Sequence, residues 1–589
     1  MQSDLPRDVP LRAQRQPLAS FASLRRVGRV PLALAVLAFA AYVPAFWWGV
    51  PYATAADRTN AWGVDDEPPL GPLAQAHDII APKTEQNPNL GYPMLHPFMV
   101  LGSFAPYMGY LAISGGVKSP TVEYPHGFAD PVSALRNLSL IAHFLSVLLA
   151  VGVVVCAYGI GRALWDERTG VLTAIGALLV YPMFYYARNS NVDVPVLFFI
   201  AAGLWAFAIV LMRGLTTRRA LVLGALVGAA VATKEQGFAS FAFVPLVLPF
   251  LNDAATSERL WRSRAFWRAA PLGAIAALAA YAVLSGMVVD FGRWIAHIRF
   301  NQERMQLARS GGVIFTRYYP WTAQGHLDLM SQILTLLRDA LTAPGVALGI
   351  VGIAVAALRA PRTAVLACSA LGYLVILFFS ARVVQLRYVL PVTLILALYG
   401  AFAVITAWRS RHRVLKWGTA AIAAATAATL CLWATELTYE MLRDSRYAAG
   451  AWIAANSRPG DALEYFGSEH KNPPMPAWVT SRPAIPSRGS LFVYDTSEVA
   501  VRSVTDAWQQ RQPRFVALLP DYASRSGEPY SAACPPAVFR ALEDGSLGYR
   551  RVALFQTPPL FGSPMRPALD HPVVNPPIRL YERVSSPAS

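Results

Sequence analysis

Apolar segments crowd the first 435 residues of this chain, at roughly 31–50, 138–160, 171–187, 194–212, 219–233, 238–252, 270–289, 343–358, 363–381, 388–408 and 416–435. A water-soluble core cannot absorb so many. Soluble domains carry about 25% charged residues, against 15% here, and single cores stop growing well short of this length. Lipid is the solvent these segments fit. The expected fold is therefore an α-helical polytopic membrane protein with about eleven transmembrane helices. Several segments fall short of the ~20 residues that a perpendicular span needs. Those at 219–233 and 238–252, flanking Lys234 and Glu235, can also form one broken hairpin. The stretch 94–113 is apolar but rich in Pro, Gly and Tyr, and is expected to be re-entrant or interfacial.

Arginine placement sets the expected orientation. Arg7, Arg12, Arg15, Arg25, Arg26 and Arg29 precede the first span. Alternate loops then hold Arg162 and Arg168; Arg213, Arg218 and Arg219; Arg259, Arg262, Arg264 and Arg268; Arg359 and Arg362; Arg409, Arg411, Arg413 and Lys416. This positive-inside pattern puts the N-terminus in the cytosol. The net charge of +16 is then a topology signal. Its scatter between apolar runs, with no continuous basic stripe, argues against a nucleic-acid partner. The first apolar run is too long for the h-region of a cleaved signal peptide. Cys156, Cys368, Cys431 and Cys534 show no metal or redox spacing and read as small buried hydrophobes.

The domain layout follows: a cytosolic segment at 1–30, a transmembrane domain at 31–435 with a long external loop at 51–137, and an external tail at 436–589. Shorter external stretches lie at 188–193 and 290–342. The tail alternates helical patterns (446–457, 497–511, 535–544) with short strands (462–466, 491–494, 514–519, 551–555, 578–582). That rhythm predicts a soluble α/β domain.

Candidate chemistry gathers at the external ends of spans. Asp65-Asp66-Glu67 puts three carboxylates in a row, an arrangement that suits a base, a metal site or plain solvation. Asp193 lies at a helix mouth near lipid, where a charge is costly unless it snorkels, pairs or works. Arg188 stands five residues before it in a very short turn, so a mutual ion pair is the simple alternative. Lys83, Lys234, Arg382 and Arg387 are further cations outside or at the membrane edge. Arg382 and Arg387 break the chain's own charge rule, which a phosphate-bearing ligand would explain, since an Arg fork matches phosphate oxygens. His96 could bind a metal or donate to a substrate; a lone loop histidine is more often simply hydrogen-bonded.

Taken in order, these motifs resemble the GT-C superfamily of polyprenyl-phosphate-sugar-dependent glycosyltransferases, in the branch of protein O-mannosyltransferases and aminoarabinose transferases. The resemblance rests on Asp66-Glu67, the Asn87–Pro97 stretch leading to Arg136, the turn Ala187-Arg188 to Asp193-Val194-Pro195, Ala232-Thr233-Lys234-Glu235, and Arg387-Tyr388-Val389-Leu390-Pro391. It spans roughly residues 30–440. It implies a GT-C-like fold and transfer of a sugar from a polyprenyl phosphate to a lipid, glycan or protein acceptor at the external face of a bacterial inner membrane. It further implies Asp66 as general base with Asp193 as second carboxylate. Substrate-binding roles are implied for Glu67, Lys83, His96, Arg188, Lys234, Arg382 and Arg387. No cofactor is implied with certainty; a divalent metal stays an open option. Pro68-Pro69-Leu70 departs from the Arg-Tyr pair that follows Asp-Glu in aminoarabinose transferases, which leaves sugar and acceptor unassigned. The competing reading is a transporter of lipids or polyprenyl-linked sugars, which would place charged sites near mid-membrane.

Overall fold

The computed structural model describes residues 28–52, 54, 58–63, 65–66, 70–80, 91–121, 123–252, 258–309, 317–467, 471–485, 497–520, 524, 533–570 and 573–584. Glu67, Lys83, most of the 1–30 segment and the strand expected at 491–494 lie outside them.

Each apolar segment is helical, but fewer are long enough to span than the sequence suggests. Among the described residues six helices are long and apolar enough to cross a membrane: Pro131–Leu164, Asp193–Arg213, Arg264–Leu284, Pro361–Ala381, Leu386–Trp408 and Arg413–Asn456. Ala323–Leu341 and Ala343–Arg359, bent by 102° at Thr342, add a seventh if taken as one broken span. The count of eleven is thus not reproduced, because several apolar runs make short helices. Arg29–Tyr42 has 14 residues, about 21 Å at 1.5 Å per residue, against a hydrocarbon core of roughly 30 Å. Thr217–Thr233 stops after 17 residues, where Lys234 takes up an extended backbone. Glu235–Phe250 is a succession of short helical turns. The 94–113 stretch is one helix, Leu95–Ser114, packed along Pro131–Leu164 through Val100, Phe104, Leu135 and Leu138.

Small residues let the helices approach closely, the packing mode expected where lipid removes any hydrophobic drive. At Gly224 a Cβ would lie 2.0 Å from the Gly273 carbonyl oxygen, so Thr217–Thr233 and Arg264–Leu284 touch backbone to backbone.

The C-terminal part forms a five-stranded sheet: β1 (Ala462–Phe466), β2 (Thr480–Pro483), β3 (Phe515–Leu518), β4 (Tyr549–Phe555) and β5 (Ile578–Arg583), in the order β2-β1-β3-β5-β4. β1 runs parallel to β2 and β3, while β5 is antiparallel to β3 and β4. Helices Ser445–Asn456, Glu498–Arg511 and Pro536–Glu543 match the helical patterns read from the sequence; β2 was not foreseen. Glu464, fully buried on β1, is held by Arg482, Arg511 and Trp508.

This sheet domain is bolted to one end of the bundle. Trp48 Nε1 donates to Asp444 Oδ2 at 3.0 Å, and Arg446 pairs with the same carboxylate while lying 3.9 Å over the Trp62 ring. Arg58 donates to the carbonyls of Met475 and Val479. Glu436 accepts the amides of Met565 and Arg566, and Arg566 pairs with Glu440. Leu569, Val573 and Val574 join the bundle's own apolar core.

Candidate active site

At the bundle end that carries the sheet domain, charged side chains from four chain segments converge. Asp193 opens its helix, its amide donating to Asn191 Oδ1 at 2.7 Å. Lys234 directly follows the helix Thr217–Thr233. Arg387 sits in the turn Leu386–Val389 that leads into Leu390–Trp408. Asp65 lies in the loop after Trp62, with a left-handed backbone (φ 49°) that Asp tolerates better than most residues.

Lys234 Nζ donates to Asp193 Oδ1 at 2.6 Å and lies 4.8 Å above the Tyr388 ring and 5.5 Å from that of Tyr92. The two aromatic faces add cation–π attraction to a buried ion pair. Arg387 donates through Nη1 to Asp65 Oδ2 and through Nε to Gln385 Oε1 at 2.9 Å. Its Nε is 3.8 Å from Asp193 Oδ2, beyond hydrogen-bond reach. That Asp193 oxygen is buried and accepts no hydrogen bond among the described residues. Tyr92 donates its hydroxyl to Asp65 Oδ2 at 3.3 Å. Partial desolvation works against ionisation of Asp65, whose side chain stays 42% exposed, but Arg387, with Lys234 and Arg304 behind it, holds its carboxyl below the ordinary aspartate value.

Asp66 points elsewhere. Its Oδ1 accepts from the Ser190 amide at 2.8 Å and hydroxyl at 2.7 Å, and its Oδ2 meets His143 Nε2 at 3.0 Å. His143 Nδ1 stands 2.7 Å from the Phe46 carbonyl. A carbonyl only accepts, so Nδ1 carries a proton, and a further proton is shared between Nε2 and the carboxylate. Burial would raise the Asp66 pKa; His143 and Ser190 outweigh it and hold the carboxyl below its ordinary value. The Asp66 side chain is 1% exposed, against 42% for Asp65. Gly63 makes room for it, since a Cβ there would lie 2.6 Å from Asp66 Oδ2.

The other residues named from the sequence divide. His96 is buried close enough to feel both Asp66 and Asp193; burial pushes its pKa down to about 4, so it is neutral at neutral pH. Arg188 does not pair with Asp193: its guanidinium is spent on the carbonyls of Ala41 and Tyr42 and the Thr438 hydroxyl. Arg382, also fully buried, donates to the carbonyls of Tyr319, Pro320 and Phe378. Both arginines pin backbone rather than face the cluster. Glu235, the residue after Lys234, meets His297 rather than the cluster.

Sequence reasoning missed several members. His143 carried a signal, an ionisable residue inside an apolar span. Tyr92, Tyr388 and Ser190 carried little. Lys471 and Asp570 carried none: both come from the sheet domain. Lys471 Nζ reaches the Trp62 carbonyl beneath the Asp65–Asp66 loop, and burial, with Arg446 nearby, drives its pKa well below the ordinary lysine value. Asp570 accepts the Leu386 amide. Among the described residues no three of His, Cys, Asp and Glu come together as metal ligands.

Residues 133–285, about a quarter of the chain, match the model of a family described as dolichyl-phosphate-mannose-protein mannosyltransferase. The matched segment contains His143, Ser190, Asp193 and Lys234. No curated protein matches the chain. Among solved structures it is similar to ArnT from Cupriavidus metallidurans bound to undecaprenyl phosphate, at 12% identity over 94% of this chain and 97% of that one, with a TM-score of 0.45. It is also similar to the Archaeoglobus fulgidus oligosaccharyltransferase in complex with zinc and sulfate (13%, 83% and 67%, 0.43). A third is the arabinofuranosyltransferase AftD from Mycobacteria (15%, 95% and 40%, 0.40).

Proposed function

Residues 133–285 match a mannosyltransferase family model; from that match and the motifs read from the sequence, we propose that the chain is a GT-C-type glycosyltransferase that moves a sugar from a polyprenyl phosphate to a hydroxyl of a lipid, glycan or protein acceptor. The reaction takes place at the outer face of a bacterial inner membrane. The observation that carries this reading is the cluster in which Arg387, Asp193 and Lys234, at the ends of separate helices, meet Asp65 from a loop. Such a placement suits a donor whose polyprenyl tail stays in lipid while its sugar–phosphate bond meets water. A transporter would hold its charges near mid-span.

In the proposed reaction the acceptor oxygen attacks the sugar C1, the C1–O bond to phosphate breaks, and the polyprenyl phosphate leaves. One in-line displacement inverts the anomeric centre. Arg387 and Lys234 neutralise charge as it develops on the leaving phosphate. The acceptor proton passes to a carboxylate. Accessibility favours Asp65 for that role over Asp66, whose two oxygens are already engaged by His143 and Ser190. Asp66 then shapes the loop. Paired with Arg387, Asp65 is a weak base; a phosphate that engages Arg387 loosens this pairing and raises its basicity. Asp193, one of whose oxygens accepts no hydrogen bond among the described residues, orients the acceptor hydroxyl.

The test is transfer by purified full-length protein in detergent, with a panel of polyprenyl-phosphate sugars and hydroxyl acceptors. Acceptor-dependent release of polyprenyl phosphate is expected. Absence of transfer across the panel, from protein that is folded, would overturn the reading.

A further inference from the structure

We propose that Asp570, supplied by the sheet domain, is a positioning residue of the donor-phosphate site, holding the turn that aims Arg387 and tying it to the segment that carries Asp193. The inference rests on the glycosyltransferase reading above.

Both Asp570 oxygens lie 2.9 Å from the Leu386 amide nitrogen. Leu386 opens the turn that runs into the long helix ending at Trp408, so its amide is one of those a helix leaves unbonded at its start. A carboxylate there also meets the positive end of the helix dipole. Arg387 is the next residue. On its other side, Asp570 Oδ2 accepts from the Tyr186 hydroxyl at 3.5 Å, and Tyr186 belongs to the short helix just before the Arg188–Asp193 turn. Leu569 and Val573, its apolar neighbours in sequence, are buried in the bundle core. One carboxylate from outside the bundle thus joins the two segments that bring the cation and the second acid.

Its charge matters to the fold in the opposite sense. Burial pushes the Asp570 carboxyl up to about 6; the Leu386 amide, Arg387 and Tyr186 oppose the rise and Asp193 adds to it. An ionised carboxylate with a raised pKa makes the folded state less stable, so packing alone would favour a neutral side chain there. The charge serves Arg387: protonation of Asp570 removes the anion that fixes the turn.

The experiment is binding of undecaprenyl phosphate to full-length protein in nanodiscs, for wild type, Asp570→Asn and Asp570→Glu, with thermal unfolding measured alongside. At about pH 7.5 Asp570→Asn is expected to raise Kd roughly fivefold or more, the scale of a weakened charge-assisted hydrogen bond. Asp570→Glu restores part of the affinity, and the melting temperature of Asp570→Asn is not lowered. Near pH 5, where wild-type Asp570 is largely protonated, the mutant-to-wild-type ratio falls toward one; titration of the phosphate itself is common to both. Equal Kd values at both pH values overturn the inference. So does a ratio that is the same at both pH values together with a lowered melting temperature, which marks a purely structural role. If Asp570→Asn does not accumulate folded, the pH midpoint of affinity loss is compared between wild type and Asp570→Glu. A shifted midpoint supports the inference and an unmoved one overturns it. Wild-type protein that binds no polyprenyl phosphate at either pH removes the donor reading and this inference with it.

Discussion

Asp65 and Asp66 are consecutive residues whose carboxylates serve different pockets: Asp65 meets Arg387 and Tyr92, while Asp66 meets His143 and Ser190. The left-handed backbone at Asp65 helps to turn the two side chains apart. Asp65→Asn is therefore expected to lower turnover by about 10²–10⁴-fold, the usual loss for a general base, in protein that still folds. Asp66→Asn should act mainly on stability, since a buried pair that loses one member is destabilised by about 3–5 kcal/mol. Turnover at saturating donor, normalised to folded protein, separates them. An Asp65→Asn enzyme within about threefold of wild type would return the base to Asp66.

Arg387 and Arg382 give contrasting expectations. Arg387→Ala should raise the donor KM or lower turnover, and Arg387→Lys should rescue only partly, because a point charge cannot fork onto phosphate. Arg382 spends its donors on three backbone carbonyls. Arg382→Ala should instead cut the yield of folded protein and leave the donor KM of what does fold close to normal. Donor titrations on both variants check this.

Gly63 tests the loop that carries both carboxylates. An alanine Cβ would stand 2.6 Å from Asp66 Oδ2 and 2.9 Å from Asp66 Cβ. Overpacking of this kind costs about 1–3 kcal/mol, so Gly63→Ala should lower the melting temperature and displace Asp66 from Ser190. A variant that melts and turns over like wild type would show the loop to be more pliable than drawn.

The pH dependence of stability should carry two opposite signs. Asp65 and Asp66 have depressed pKa values, so what they contribute is present above the unfolded aspartate range and is lost as pH falls through their lower folded values. Asp570 has a raised one: its favourable share is complete below 3.8 and is lost as pH climbs through about 6. That rise corresponds to about 3 kcal/mol at most. Thermal unfolding of Asp570→Asn against wild type should show the mutant gaining relative stability between about pH 4 and pH 7. A constant difference across that range would contradict the raised pKa.

Orientation is open to a direct check. Reporters fused at Ser410 and at Ser589 should report the cytosol and the opposite side, respectively, because the arginine-rich loops then lie inside. A cytosolic signal at Ser589 would place the carboxylate–cation cluster on the wrong side for the proposed donor.

The apolar segments, the helices of the tail and the placement of Asp193, Lys234 and Arg387 at the ends of helices were legible in the sequence. Burial in lipid is a property of consecutive residues added along the chain, and a charge at the end of such a run stands out locally. Span length was less legible: the first helix stops at Tyr42 although its apolar run reads on to residue 50, and Ala323–Leu341, which meets Ala343–Arg359 at the bend at Thr342, falls in a stretch that reads as an external loop. Pairing was not legible at all. Arg382 and Arg387 sit at the same kind of helix mouth, yet one holds backbone and the other holds Asp65. Asp570 reaches Leu386 from 184 positions away. Hydrogen bonds and close ion pairs form over about 3 Å, and only the packed helices and the docked sheet domain decide which groups come that near.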